Sequence, residues 1–255
     1  MLHNIFRFAT WFVVMSMPFL SLQASETILI AVASNFQLPA KALAREYSNK
    51  TGHEVRISSG STGKLYAQII NGAPYAIFFA GNSREPSRLE QEGKAVSSSR
   101  FTYALGKLVL WSGDAKLLVQ DPKKLLQEGR FKSLSLANPQ TAPYGEAGME
   151  VLDTLKPDAK NYRIIRAENV TQSFQYAATG ATEICFIAYS QLLTAPEPDK
   201  GSYWLVPKKL YHPIQQQVVL LNAGADNAVA KDFLLFIKST KGKQMITAFG
   251  YDVEK

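Results

Sequence analysis

The chain has 255 residues, 46% of them hydrophobic, and a formal net charge of +7 from 28 Lys and Arg against 21 Asp and Glu. That length holds one large α/β domain or two smaller lobes. With one cysteine, Cys185, and three histidines, a disulfide framework is excluded and a protein-built transition-metal centre is a poor reading. The lysines are scattered without an aromatic–basic stripe, which argues for a solvated surface rather than a nucleic-acid partner.

Met1 to Ala24 carries one cation, Arg7, then an apolar run from Phe8 to Leu22 and small residues at its end. This reads as a secretory signal peptide, residues 1–24, with the cut after Ala24 in Leu22-Gln23-Ala24. Ser16, Ser21 and Gln23 interrupt a run already short for a membrane anchor, so the mature chain is expected to be exported and soluble. Hydrophobic periodicity then predicts strands over 27–33, 54–58, 76–80, 107–111, 133–137, 162–166, 184–188, 203–206 and 215–221. It predicts helices over 36–51, 64–71, 85–92, 122–128, 144–155, 171–179 and 228–240. Such alternation favours parallel sheets covered on both faces, with ligands at the carboxyl ends of the strands.

Four strand-to-helix junctions repeat one physical arrangement. The first, Ala31-Val32-Ala33-Ser34-Asn35-Phe36, ends a buried-type strand on two good capping residues, which serve equally for a cap or for an anion. The second, Ser58-Ser59-Gly60-Ser61-Thr62-Gly63-Lys64-Leu65, opens an amphipathic helix, and Gly63 allows a close backbone approach. In the third, Asn138-Pro139-Gln140-Thr141-Ala142-Pro143-Tyr144-Gly145, Pro143 suits the first helical position and leaves the N–H groups of Tyr144 and Gly145 free. Tyr144 either adds a phenolic donor or packs at the rim. The fourth, Ala167-Glu168-Asn169-Val170-Thr171, is an Asn-capped start to which Val170 contributes only its backbone. Helix N-termini carry unsatisfied N–H groups and about half a positive charge, so four of them facing one point would bring eight or more donors to a small oxyanion without a cation.

Competing motifs fail in detail. Gly60-Ser61-Thr62-Gly63-Lys64 is not a phosphate loop, because Ser58 stands where the first glycine belongs and Leu65 where the metal-binding Ser or Thr belongs. Ser61-Thr62-Gly63-Lys64 matches S-x-x-K, but neither S-D-N nor K-T-G occurs in the chain. His53 and His212 lie in turn-like contexts away from the junctions, and Cys185 reads as a buried small hydrophobe. Glu146 and Glu168 suit the helix dipole and need no ligand role.

At Ala31 to Phe36, Ser59 to Ile69, Asn71-Gly72-Ala73-Pro74, Pro139 to Gly145 and Ala167 to Val170, the chain resembles the periplasmic molybdate-binding proteins of ABC importers, over nearly all of residues 26 to 255. The resemblance implies a type II solute-binding fold: two α/β lobes, each a mostly parallel sheet flanked by helices, with the ligand in the cleft between them. It implies lobe 1 from 25–104 and 213–255, lobe 2 from 105–212, and closure by a hinge. Its ligand positions fall on Ser34 with Asn35, on Thr62 or Ser61, and on Tyr144 and Val170. Where some relatives carry a further tyrosine, this chain has Ala188, and Tyr144 is placed to replace its hydroxyl. The expected function is capture of molybdate and tungstate in the periplasm for a membrane permease, by a monomer that is not an enzyme and has no cofactor. A sulfate or phosphate receptor is the nearest alternative, and an exported S-x-x-K acyl-transfer enzyme the more distant one.

Overall fold

The computed structural model describes residues 25–158, 160–195 and 201–254, so the proposed signal peptide and its cut lie outside the described residues. The chain forms two five-stranded sheets, each flanked by helices. The first has the order β2-β1-β3-β10-β4, from Thr27–Ala33 (β1), Glu54–Gly60 (β2), Ile77–Phe79 (β3), Phe101–Gly106 (β4) and Ile214–Leu220 (β10). The second has the order β7-β6-β8-β5-β9, from Leu108–Ser112 (β5), Ser133–Ala137 (β6), Arg163–Ala167 (β7), Ile184–Ala188 (β8) and Ser202–Leu205 (β9). In each sheet one strand, β1 or β6, pairs in parallel with both neighbours. One other strand, β10 or β5, pairs antiparallel with both of its own. The division has a topological cause: β5 and β10 are the strands that enter each sheet directly from the other lobe, through Lys107 and through Tyr211 to Pro213. The parallel pairs β1–β2 and β6–β7 carry the four junctions.

The helices are Gln37–Thr51 (α1), Thr62–Ile70 (α2), Arg84–Gln91 (α3), Pro122–Glu128 (α4), Pro143–Leu155 (α5), Val170–Ala178 (α6), Tyr189–Leu193 (α7), Ala228–Lys238 (α8) and Thr240–Ala248 (α9). Three elements lack a counterpart among those predicted: β4, α7 and α9. In β4 the buried Tyr103 and Ala104 are sequence neighbours, so neither a clean alternation nor a helical period announces the strand. The stretch predicted as one helix from 228 to 240 breaks at Ser239, which is extended and caps α9 by accepting from Gly242 N. Among the described residues no helix is long and apolar enough to cross a membrane.

Each lobe has its own apolar core. In the first, Phe36, Leu43, Tyr47, Phe79 and Phe233 pack on one face of the sheet, and Leu65, Phe78, Leu89 and Val219 on the other. In the second, Leu108, Leu134, Val151, Phe186 and Ile187 are buried together with Cys185, whose thiol burial pushes up. Burying each such side chain contributes about 1.5–3 kcal/mol. Each lobe's junctions therefore rest on a packed core of their own.

Candidate oxyanion-binding site

The four junctions leave the carboxyl ends of β1, β2, β6 and β7, and the structure brings their helices together between the lobes. A short 3-10 turn, Ser34–Phe36, follows β1 and packs against α6 and α7 of the other lobe. Thr171 Oγ1 donates to Ser34 O at 3.4 Å, and Ser190 Oγ donates to Asn35 O at 3.2 Å. Gly63 N donates to Thr141 O at 2.9 Å, and a Cβ at Gly63 would lie 3.1 Å from Thr141 Cα. A side chain at this position would press on the facing loop, and the glycine's N–H is spent there. Gly81, after β3, is the inner wall: a Cβ there would lie 3.1 Å from Thr62 Oγ1, 3.2 Å from Pro143 Cγ and 3.3 Å from Asn35 Oδ1.

The predicted ligand residues divide by what their polar groups already do. Asn35, Ser61, Thr62, Tyr144 and Val170 are all buried, and Ser34 is half-buried. Both amide protons of Asn35 have acceptors: Gln216 Oε1 at 2.8 Å and the Tyr251 hydroxyl at 3.0 Å. Its backbone N–H remains, in the first turn of its helix. Thr62 Oγ1 accepts from Gly81 N at 3.0 Å, whereas Ser61 Oγ is buried with no hydrogen-bond partner. An orphaned buried hydroxyl is costly, and its usual explanation is a ligand or water. Thr141 Oγ1, on the loop against Gly63, is orphaned in the same way.

Tyr144 and Val170 complete the facing half. The Tyr144 hydroxyl accepts from Gln216 Nε2 at 3.1 Å and keeps a proton for which the neighbouring Tyr251 hydroxyl and an anion would compete. Burial pushes its pKa well above the ordinary tyrosine value, with the neighbouring Tyr251, Tyr103 and Tyr211 adding to the effect, so it is a neutral donor. The N–H of Gly145, expected to be free, instead donates to Ala142 O at 2.9 Å in a tightened first turn. Asn169 caps α6 by accepting from Thr171 N and Gln172 N, leaving Val170 N at the helix start. The donors open to one anion are therefore fewer than the eight suggested by counting helix starts.

Charged groups stay at the rim. Lys64 Nζ pairs with Glu168 Oε1 at 2.8 Å and Arg84 with Glu146 at 3.4 Å, both pairs joining the two lobes and both largely exposed. Such pairs contribute about 0–1 kcal/mol. Lys64→Ala is accordingly expected to change anion affinity by less than about threefold, measured by calorimetric titration. A loss of two orders of magnitude would contradict this placement. Tyr189, next to Ala188, sits beside Lys107 and Gly250 instead of at the junctions. Sequence reasoning missed Thr141, Gly81, Gln216 and Tyr251. Only Gln216 left a signal, as part of a glutamine run in an otherwise apolar strand.

Two α/β lobes with helix starts from both meeting between them form the architecture of a solute receptor. The model for the bacterial extracellular solute-binding proteins matches residues 28–252. A molybdate-binding protein ModA of Azotobacter vinelandii is 42% identical over 91% of this chain and 92% of its own length. That of Rhodobacter capsulatus is 38% identical, over 91% and 90%. The solved structure of the Azotobacter vinelandii periplasmic molybdate-binding protein superposes with a TM-score of 0.84 at 40% identity, covering 89% of this chain and 100% of that one. The chain belongs to the bacterial extracellular solute-binding protein family and, by these relatives, to the ModA proteins within it. It is a binding protein and not an enzyme.

Proposed function

We propose that this protein is a periplasmic receptor that captures molybdate, and tungstate with it, and presents the closed complex to the permease of an ABC importer. The observation that carries the reading is the buried, unpartnered Ser61 hydroxyl at the start of α2, facing the Tyr144 junction across the lobes. The relatives named for molybdate supply the identity of the anion. The proposed ligand set is the Ser61 hydroxyl, the Tyr144 hydroxyl and backbone N–H, and the N–H groups of Ser34, Asn35, Thr62 and Val170. Six or seven charge-assisted bonds at roughly 1.5–3 kcal/mol each cover the ordering cost of micromolar-to-nanomolar binding. Residues 1–24 are proposed to be removed on export. The lobes are proposed as 25–104 with 213–255, and 105–212, hinged near Lys107 and His212.

A site of donors alone selects a fully deprotonated dianion. Phosphate would need an acceptor for its proton, but Glu146 and Glu168, the acids beside the junctions, are tied to Arg84 and Lys64 at the rim. Sulfate matches in charge and shape but has shorter bonds, so donors placed for molybdate would reach it in fewer contacts. Acyl transfer through Ser61 is disfavoured because Lys64, its would-be base, is an exposed cation paired to Glu168.

The test is calorimetric titration of anion-free protein with molybdate, tungstate, sulfate and phosphate. Tight one-to-one binding of the first two, with at least about a hundredfold weaker response to the others, is expected. Silence from molybdate would overturn the reading.

A further inference from the structure

Gln216 is fully buried in β10, where an aliphatic side chain would fill the same space without needing partners. Instead its amide is wired into both lobes. Oε1 accepts from Asn35 Nδ2 at 2.8 Å and lies 2.9 Å from the Tyr103 hydroxyl, both in the first lobe. Nε2 donates at 3.1 Å to the Tyr144 hydroxyl of the second. An amide whose oxygen is already held by a donor nitrogen cannot flip without placing two donors face to face. With Asn35 donating to its oxygen, its nitrogen faces Tyr144 and the phenol oxygen accepts. Space around this contact is tight: a Cβ on Gly106, beside the crossing at Lys107, would collide with the Tyr144 hydroxyl oxygen and lie 2.9 Å from Gln216 Nε2. Tyr144 reaches Gln216 across the bare backbone at Gly106.

We propose that Gln216 is a positioning residue of the oxyanion site, one that touches no ligand. By donating to the Tyr144 oxygen across the lobes it turns the phenol proton toward the anion. Closure and donor orientation are then one event. The inference rests on the receptor reading above.

The experiment is calorimetric titration of molybdate into the wild type, Gln216→Met, Tyr144→Phe and the double variant, with thermal midpoints of the anion-free forms. Gln216→Met is expected to weaken binding about tenfold, as is Tyr144→Phe. The double variant is expected to match Tyr144→Phe within about twofold, because the two act through one proton. Losses that multiply would overturn the inference, since a residue acting only on packing adds its effect independently. Wild-type affinity in Gln216→Met would overturn it as well. Should Gln216→Met fail to fold, Gln216→Glu keeps the shape but as a carboxylate can only accept, so it draws the Tyr144 proton away. At least a tenfold loss is then expected, and unchanged affinity overturns the proposal. No binding by the wild type would instead remove the receptor reading, and this inference with it.

Discussion

Ser61→Ala is expected to weaken molybdate binding by about tenfold to hundredfold while leaving the melting temperature of the anion-free protein unchanged or slightly raised. The reason lies in what its hydroxyl does without an anion. Ser61 Oγ is buried and unpartnered, so the folded protein gains nothing from it and bears its desolvation. An oxyanion supplies the missing acceptor, so the whole benefit of the group appears on binding. Thr62→Ala carries the opposite signature. Its Oγ1 accepts from Gly81 N, and removing it leaves that buried N–H orphaned, so the melting temperature falls. Calorimetric titration together with thermal unfolding of both variants separates the roles. If Ser61→Ala bound molybdate like the wild type, the hydroxyl would not be a ligand.

Gly145→Ala is expected to destabilise the protein by about 3 kcal/mol or more and to reduce anion affinity at least a hundredfold in whatever fraction folds. A Cβ at position 145 would overlap the carbonyl oxygen of Ala137 and lie 2.7 Å from its carbonyl carbon. Those atoms belong to the end of β6, whose ladder to β7 fixes Ala137 opposite Ala167. Neither can retreat without shifting the third junction against the fourth. The displaced turn carries Tyr144, so its N–H and hydroxyl would leave the cleft together. Equilibrium unfolding in urea and molybdate titration check both parts. A variant of near-wild-type stability would mean that the approach of α5 to β6 is softer than the packing indicates.

Much of this was legible because local signals coincide with tertiary roles. At Asn169 the residue type, the N-cap geometry and the exit from a parallel strand all agree, and the fourth junction forms as expected. The same holds for Pro143 at the start of α5. What escaped is long-range. The Asn35 amide looks available in the sequence, but its partners Gln216 and Tyr251 lie 181 and 216 residues away. Gly63 signals a close approach without naming Thr141 as the neighbour. Helix starts advertise donors, but only the packed chain reveals that the N–H groups of Gly63 and Gly145 are already spent. That Thr62 Oγ1 is held by Gly81 N is likewise invisible locally, since no sequence pattern connects the two.

The central claim is that one oxyanion sits where the four junctions converge, held from both lobes. Crystals of the molybdate complex, measured at the molybdenum absorption edge, test it most directly. A single anomalous peak is expected between the lobes, with oxyanion oxygens about 2.7–3.1 Å from Ser61 Oγ, the Tyr144 hydroxyl and Val170 N. A peak at the rim beside Arg84 and His212, or one contacted by a single lobe, would contradict it.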